Sequence, residues 1–136
     1  MRKEKSCGCV VINDENKILM IRSKNEGIWG FPKGHVENGE TEIETAIREV
    51  KEETNIDVEI LENNRFIMNY IIKDTIDKEV VIFIAKKTSD NIIPQQEEVS
   101  EIRWFDIDEA IKIVNFLNTK MLLIDIKEKY FKNKNV

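Results

Sequence analysis

One histidine, two cysteines, two prolines and five glycines are all that the 136-residue chain holds of the residues that mark metal centres, disulfide frameworks and special turns. Each scarcity removes a class of protein. Cys7, Cys9 and His35 are too few for a zinc site of cysteine and histidine ligands. The two cysteines also stand two apart on one face of an apolar stretch, a poor geometry for bridging each other. Any metal must therefore be held by carboxylates. With only Pro32 and Pro94, no internal repeat and no low-complexity tract, long disordered segments are not expected. The longest early apolar run, Cys7 to Ile12, contains a glycine and falls far short of the roughly 20 residues of a spanning helix. The expectation is a cytosolic protein with no membrane partner. Residues 1–136 fit a single domain with a real core, as a monomer or weak homodimer.

Positive charge is short too: 21 Lys and Arg face 26 Asp and Glu, for a formal net charge of −5. That balance speaks against stable nucleic-acid binding, because proteins that grip phosphate backbones by charge are basic on one face. The excess is not spread evenly. Between Glu37 and Glu53 stand Glu37, Glu40, Glu42, Glu44, Glu49, Glu52 and Glu53 against Arg48 and Lys51, while acids and bases balance elsewhere. One short segment carries the whole net charge.

Local patterning gives a coarse architecture. Ser6 to Asn13 reads as a strand, Asp14-Glu15-Asn16 as a turn, and Lys17 to Arg22 as its hairpin partner. Ser23 to Glu40 holds four of the five glycines and reads as a loop with special backbone demands. Thr41 with Glu44 forms a capping box, and Ile43, Ala46, Ile47 and Val50 follow at helical spacing up to Asn55, a helix stop. Val58 to Leu61, Arg65 to Ile72 and Glu79 to Lys86 read as strands, the last two joined by a polar turn over Lys73 to Lys78. Glu101 to Phe105 is a short strand, Asp106 or Asp108 caps a helix over Glu109 to Val114, and a final helix runs from Leu117 to Phe131. Strands interrupted by one helix and closed by helices predict an α/β sandwich, a mixed sheet flanked by helices.

On the Thr41–Thr54 helix, Glu49, Glu52 and Glu53 stand at i, i+3 and i+4, spacings that bring side chains together. Lys51 lies off that face and Arg48 borders it, so the carboxylates converge with little internal compensation. Such a triplet is either a solvated helix face or a site for hard divalent cations, which take oxygen ligands.

The surrounding spacing distinguishes these readings. Gly34, five residues, Glu40, seven residues, then Arg48-Glu49-Val50-Lys51-Glu52-Glu53-Thr54-Asn55-Ile56 resembles the Nudix box over residues 34–56, with Asn55 where the family has Gly. The resemblance implies a Mg²⁺-dependent hydrolase (Mn²⁺ is the other candidate ion) of the Nudix α/β/α type, acting on a small nucleotide substrate. It assigns Glu49, Glu52 and Glu53, with the Gly34 carbonyl, to the metals, and Glu40 to orienting Arg48. Glu52 and Glu53 also stand as catalytic candidates. An acidic patch can thus serve an acidic substrate, because the ion supplies the missing positive charge.

Immediately upstream, Trp29-Gly30-Phe31-Pro32-Lys33-Gly34-His35-Val36-Glu37 is similar to the asymmetric diadenosine tetraphosphate hydrolases among Nudix proteins, which release AMP and ATP. Lys33 offers a point charge for a phosphate oxygen. Trp29 either packs under a base or wedges the loop, and His35 is either a hydrogen-bonded loop residue or a phosphate contact. The resemblance continues through Ser6-Cys7-Gly8, Asn69-Tyr70, Glu98 and Arg103-Trp104. Tyr70 either stacks a base or belongs to the core. Glu98 falls where the family often keeps a further acid as ligand or general base, with Glu97 and Glu101 as neighbours in register. The alternatives are pyrophosphate release from an ordinary or oxidised nucleoside triphosphate or from an RNA 5′ end, and, more distantly, a nucleotide-sensing module without turnover.

Overall fold

The computed structural model describes residues 1–132, and of residues 62 and 63 the backbone alone. The expected domain span of 1–136 includes residues 133–136, which lie outside the described residues. The elements in chain order are β1 (Arg2–Ile12), β2 (Ile18–Ser23), β3 (Trp29–Gly30), β4 (Lys33–His35), α1 (Glu42–Thr54), β5 (Val58–Ile72), β6 (Ile76–Lys87), β7 (Val99–Phe105), α2 (Ile107–Ile113) and α3 (Leu117–Ile126). A π-helical turn over Lys127–Phe131 ends the described helix.

The fold is an α/β sandwich on a seven-stranded mixed sheet. Its main path runs β3-β2-β1-β6-β5, with β4 added to β1 and β7 to β2. β1 is its hub because residues Cys7 to Ile12 are buried without a break and so need cover on both faces and partners on both edges. β1 runs parallel to β6 from the Arg2↔Ile76 pair to the Ile12↔Lys86 pair. Alternation then sorts the side chains. Val10, Ile12, Val80, Ile82 and Ile84 face α2 and α3, whereas Cys9, Val11, Val81, Phe83 and Ala85 face α1. Cys7 and Cys9 are buried free thiols, and burial pushes them to about 11 and about 12. No helix of the described residues is long and apolar enough to cross a membrane.

Several sequence expectations change. The predicted β1–β2 hairpin exists only at its tip, where Ile12 faces Ile18; beyond it β2 leaves to pair with β3 and β7. The stretches Val58 to Leu61 and Arg65 to Ile72 are one long strand with a register shift between Ile60 and Arg65. The turn after it is shorter than Lys73 to Lys78: Lys73 and Asp74 both have positive φ, the pattern of a two-residue hairpin turn, and Thr75 N–H donates to Ile72 O at 3.1 Å. The last helix is α-helical only to Ile126, after which the wider turn brings consecutive Tyr130 and Phe131 inward, edge to face at 5.1 Å.

α1 carries the capping box expected for it. Thr41 Oγ1 accepts from Glu44 N–H at 3.1 Å and Glu44 Oε1 from Thr41 N–H at 2.9 Å. Its buried face differs from the apolar stripe, however. Thr45, Ala46, Val50, Glu53 and Thr54 point inward while Ile43 and Ile47 stay exposed. The helix is rolled so that Glu53, not Ile47, meets the sheet. Glu42 fixes that roll: its two oxygens accept from Arg65 Nε and Nη2, both at 2.8 Å, and it also pairs with Lys5. The bond from Arg65 holds the Glu42 carboxyl down to about 2.

Candidate active site

Glycine at two positions lets the β4 segment lie against its neighbours. A methyl at Gly8 of β1 would overlap the Pro32 carbonyl and Lys33 Cβ, and one at Gly34 would overlap the Glu49 carboxylate. These absences set β4 directly on β1 and directly over the helix face that bears the glutamates. Lys33 N–H donates to Glu53 Oε1 at 2.9 Å.

Arg48 organises the rim. Its Nε and Nη2 donate to the two oxygens of Glu40 at 2.6 and 3.0 Å, Nη1 donates to Glu52 Oε1 at 3.0 Å, and Nη2 also reaches the His35 carbonyl at 3.0 Å. Nη1 lies 3.7 Å from Glu49 Oε2. The carboxylates are therefore not left uncompensated, as the sequence reading expected. Arg48 and Glu52 are four apart on a helix, and that spacing held the signal. Glu40 further accepts from Glu37 N–H at 3.0 Å and Thr45 Oγ1 at 2.8 Å, and with the Arg48 fork as the leading cause its carboxyl is held down to about 2.

Behind this rim lie two carboxyls of a different kind. Glu53 is 7% exposed, and burial, with the nearby Glu49 and Glu98 charges adding to it, pushes its carboxyl up to about 8 against the Lys33 N–H bond. Glu49 is raised as well, by burial first and then by Glu52. Glu49 Oε2 is buried and has no hydrogen-bond partner among the described residues. An orphaned buried oxygen beside a carboxyl that resists ionisation is the arrangement a bound cation would complete. The set is gathered but not closed: among the described residues, no three His, Cys, Asp or Glu side chains are spaced to hold an ion as they stand.

From Lys33, Glu53 and Glu98 a cleft of about 670 Å³ opens toward Trp29, Tyr70 and Phe116. Trp29 does two things at once: it packs edge to face on Phe105 at 5.2 Å, and it lines the cleft under the guanidiniums of Arg22 and Arg103. Tyr70 is half-buried and also lines it. His35 does not line the cleft; its ring is mostly exposed, with Nε2 3.7 Å from Glu4 Oε1.

Two further features had no sequence signal. Lys78, only 6% exposed, faces Tyr70 across the β5–β6 pair and lies 3.9 Å from Glu4 Oε1; burial, then the positive charge of Lys33, lowers its pKa. Lys33 lines the cleft; Lys78 stands behind Tyr70 and does not. Phe116 and Leu117, both well exposed, reach its mouth from the α2–α3 corner. Only the tertiary fold joins these residues to the box.

The NUDIX domain model matches residues 2–123. The chain is 32% identical over 134 residues to the asymmetrical bis(5′-nucleosyl)-tetraphosphatase of Sus scrofa, covering 88% of this chain and 90% of that one. It is also 32% identical over 123 residues to the m7GpppN-mRNA hydrolase of Saccharomyces cerevisiae, covering 87% of this chain but spanning only 12% of that protein's length. In three dimensions it matches the crystal structure of a C. elegans Ap4A hydrolase binary complex with a TM-score of 0.84 and 29% identity, over 96% of this chain and 98% of that one. With the box, the sandwich and these relatives in agreement, the chain belongs to the Nudix hydrolase family.

Proposed function

We propose that this chain hydrolyses dinucleoside polyphosphates, cleaving diadenosine tetraphosphate asymmetrically into AMP and ATP. The observation that carries the reading is the continuity of one cleft, acidic and buried at the Glu53 end and aromatic at the Tyr70, Trp29 and Phe116 end. The inner end suits phosphates and their counter-ions; the outer end suits a base. Glu49, Glu52 and Glu53, with the Gly34 carbonyl, would hold the divalent ion, Mg²⁺ or Mn²⁺. Bound there, such an ion would supply positive charge to the polyphosphate and lower the pKa of a bound water.

The chain's own groups do the rest. Arg48, locked by Glu40, holds Glu52 at the rim, from which it would turn to serve as a ligand. Lys33, which lines the Glu53 end of the cleft, places positive charge beside the phosphate chain. Glu98, on the exposed side of the same carboxylates, either takes the proton of the attacking water or completes the ligand set. Glu53, buried and holding its proton near neutral pH, would have to give that proton up to serve as a ligand. Nothing in this scheme needs a membrane, and we place the enzyme in the cytoplasm.

A nucleotide panel with Mg²⁺ tests the substrate. The proposal expects the highest kcat/KM for diadenosine tetraphosphate over nucleoside triphosphates and 5′-triphosphorylated RNA. A higher value for a triphosphate, with monophosphate and pyrophosphate as products, would replace it with the pyrophosphohydrolase reading. No turnover of any of them would leave a nucleotide-binding module.

A further inference from the structure

Position 55 is where this chain departs from the Nudix box, and the structure gives the departure a use. Asn55 caps α1 with φ 65°, a left-handed conformation that asparagine tolerates and glycine adopts freely. Its side chain does what glycine cannot: Nδ2 donates to the Asn91 carbonyl at 2.9 Å. Asn91 belongs to the strap over residues 88–98 that carries Glu98 to the carboxylate cluster.

The strap is laced to the end of α1 rung by rung. Thr88 N–H donates to Asp57 O at 2.8 Å, and Asp57 N–H to Ser89 Oγ at 2.9 Å. Ile93 N–H then donates to Thr54 O at 3.0 Å and Gln95 N–H to Glu53 O at 3.1 Å. The Asn55–Asn91 bond is the rung between these two sets. Past Gln95 the chain makes one tight turn, Val99 N–H donating to Gln95 O at 2.9 Å, and Glu98 sits on it. From the other side, Lys24 closes the turn with its N–H on Glu98 O at 2.8 Å and its Nζ on Gln96 O at 2.7 Å.

This lacing has a definite consequence for the site. Glu98 lines the same cleft as Glu53, so where the strap lies against α1 decides where the Glu98 side chain stands relative to the carboxylates. The Glu53 rung ties Glu98 to the backbone of one of the carboxylates it must approach, and the Asn55 rung keeps the stretch before it from peeling away. We propose that Asn55 is a positioning residue: through its bond to Asn91 it holds the strap against α1 and so presents Glu98 to the cation site. The inference rests on the reading of Glu98 given under the proposed function, and its test separates the two.

The test uses the full chain, with Mn²⁺ affinity measured by electron paramagnetic resonance without nucleotide, and kcat and KM measured for diadenosine tetraphosphate with Mg²⁺. Asn55→Gly restores the family residue, and Asn55→Asp keeps the left-handed preference while losing the donor. Both variants are expected to bind Mn²⁺ about two- to tenfold more weakly, the equivalent of one hydrogen bond, and to lose kcat by a similar factor with KM unchanged. In a Glu98→Gln background, itself impaired, Asn55→Gly is expected to add nothing. Wild-type Mn²⁺ affinity and kcat in both Asn55 variants, with Glu98→Gln impaired, would overturn the role of Asn55 and leave that of Glu98 standing. So would an undiminished Asn55→Gly loss in the Glu98→Gln background. Wild-type behaviour of Glu98→Gln itself would overturn both.

Discussion

Replacing Glu53 with glutamine is expected to stabilise the metal-free protein while abolishing its activity. Glu53 is buried, and its carboxyl titrates at about 8 in the fold against an ordinary 4.5. A carboxyl raised in this way binds its proton more tightly folded than unfolded. It costs nothing below pH 4.5, and its cost grows by about 1.4 kcal/mol per pH unit between 4.5 and 8 before levelling off. Glutamine has no such cost and still offers an oxygen to Lys33 N–H. In EDTA, Glu53→Gln should therefore exceed wild type by up to about 3 kcal/mol at pH 7 and by less than about 1 kcal/mol at pH 5. Thermal melts at pH 5, 7 and 8.5 measure the gap, expected to be near 10 °C at pH 7 and to widen with pH. Added Mn²⁺ should then raise the wild-type melting temperature and leave the variant nearly unmoved, because the carboxyl proposed to lose its proton to the ion is gone. A variant less stable than wild type at pH 8.5 in EDTA, or a gap that does not change with pH, would refute the reasoning.

Gly34→Ala should separate fold from site in another way: the added methyl meets the end of the Glu49 side chain, so the carboxylate swings away at little cost to the melting temperature. Mn²⁺ affinity should then fall by roughly tenfold or more, and an unchanged affinity would show that Glu49 is not a ligand. At the other end of the cleft, Tyr70→Ala and Phe116→Ala should raise KM for the dinucleotide about five- to thirtyfold with kcat largely kept, the signature of base stacking worth roughly 1–2 kcal/mol. A fall in kcat alone would place both residues outside the binding surface.

What could be read from the sequence was what depends on short spacing. The Thr41–Glu44 capping box and the left-handed stop at Asn55 are fixed by neighbours a few residues away, and both stand in the structure. The sandwich was legible because apolar runs of the right length alternate with one strongly marked helix. Pairing was not: the β1–β6 partnership joins residues about seventy apart, and nothing in Ser6 to Asn13 distinguishes a parallel partner from the hairpin next door. The apolar stripe of α1 misled for a related reason. Ile47 is left exposed because Glu42 is tethered to Arg65 and Lys5, which rolls the helix and buries Glu53 in its place. Lys78 and Phe116 carried no local pattern at all, and only the crossing of β6 and the α2–α3 corner with the cleft end gives them a place beside Tyr70.

The most direct test of the central claim is hydrolysis of diadenosine tetraphosphate in ¹⁸O-labelled water with Mg²⁺, followed by mass spectrometry of both products. The proposed function expects AMP and ATP in equal amounts, with one ¹⁸O in the phosphate of one product only, and no turnover in EDTA or in Glu53→Gln. ADP as the sole product, label in neither nucleotide, or an undiminished rate without metal would contradict it.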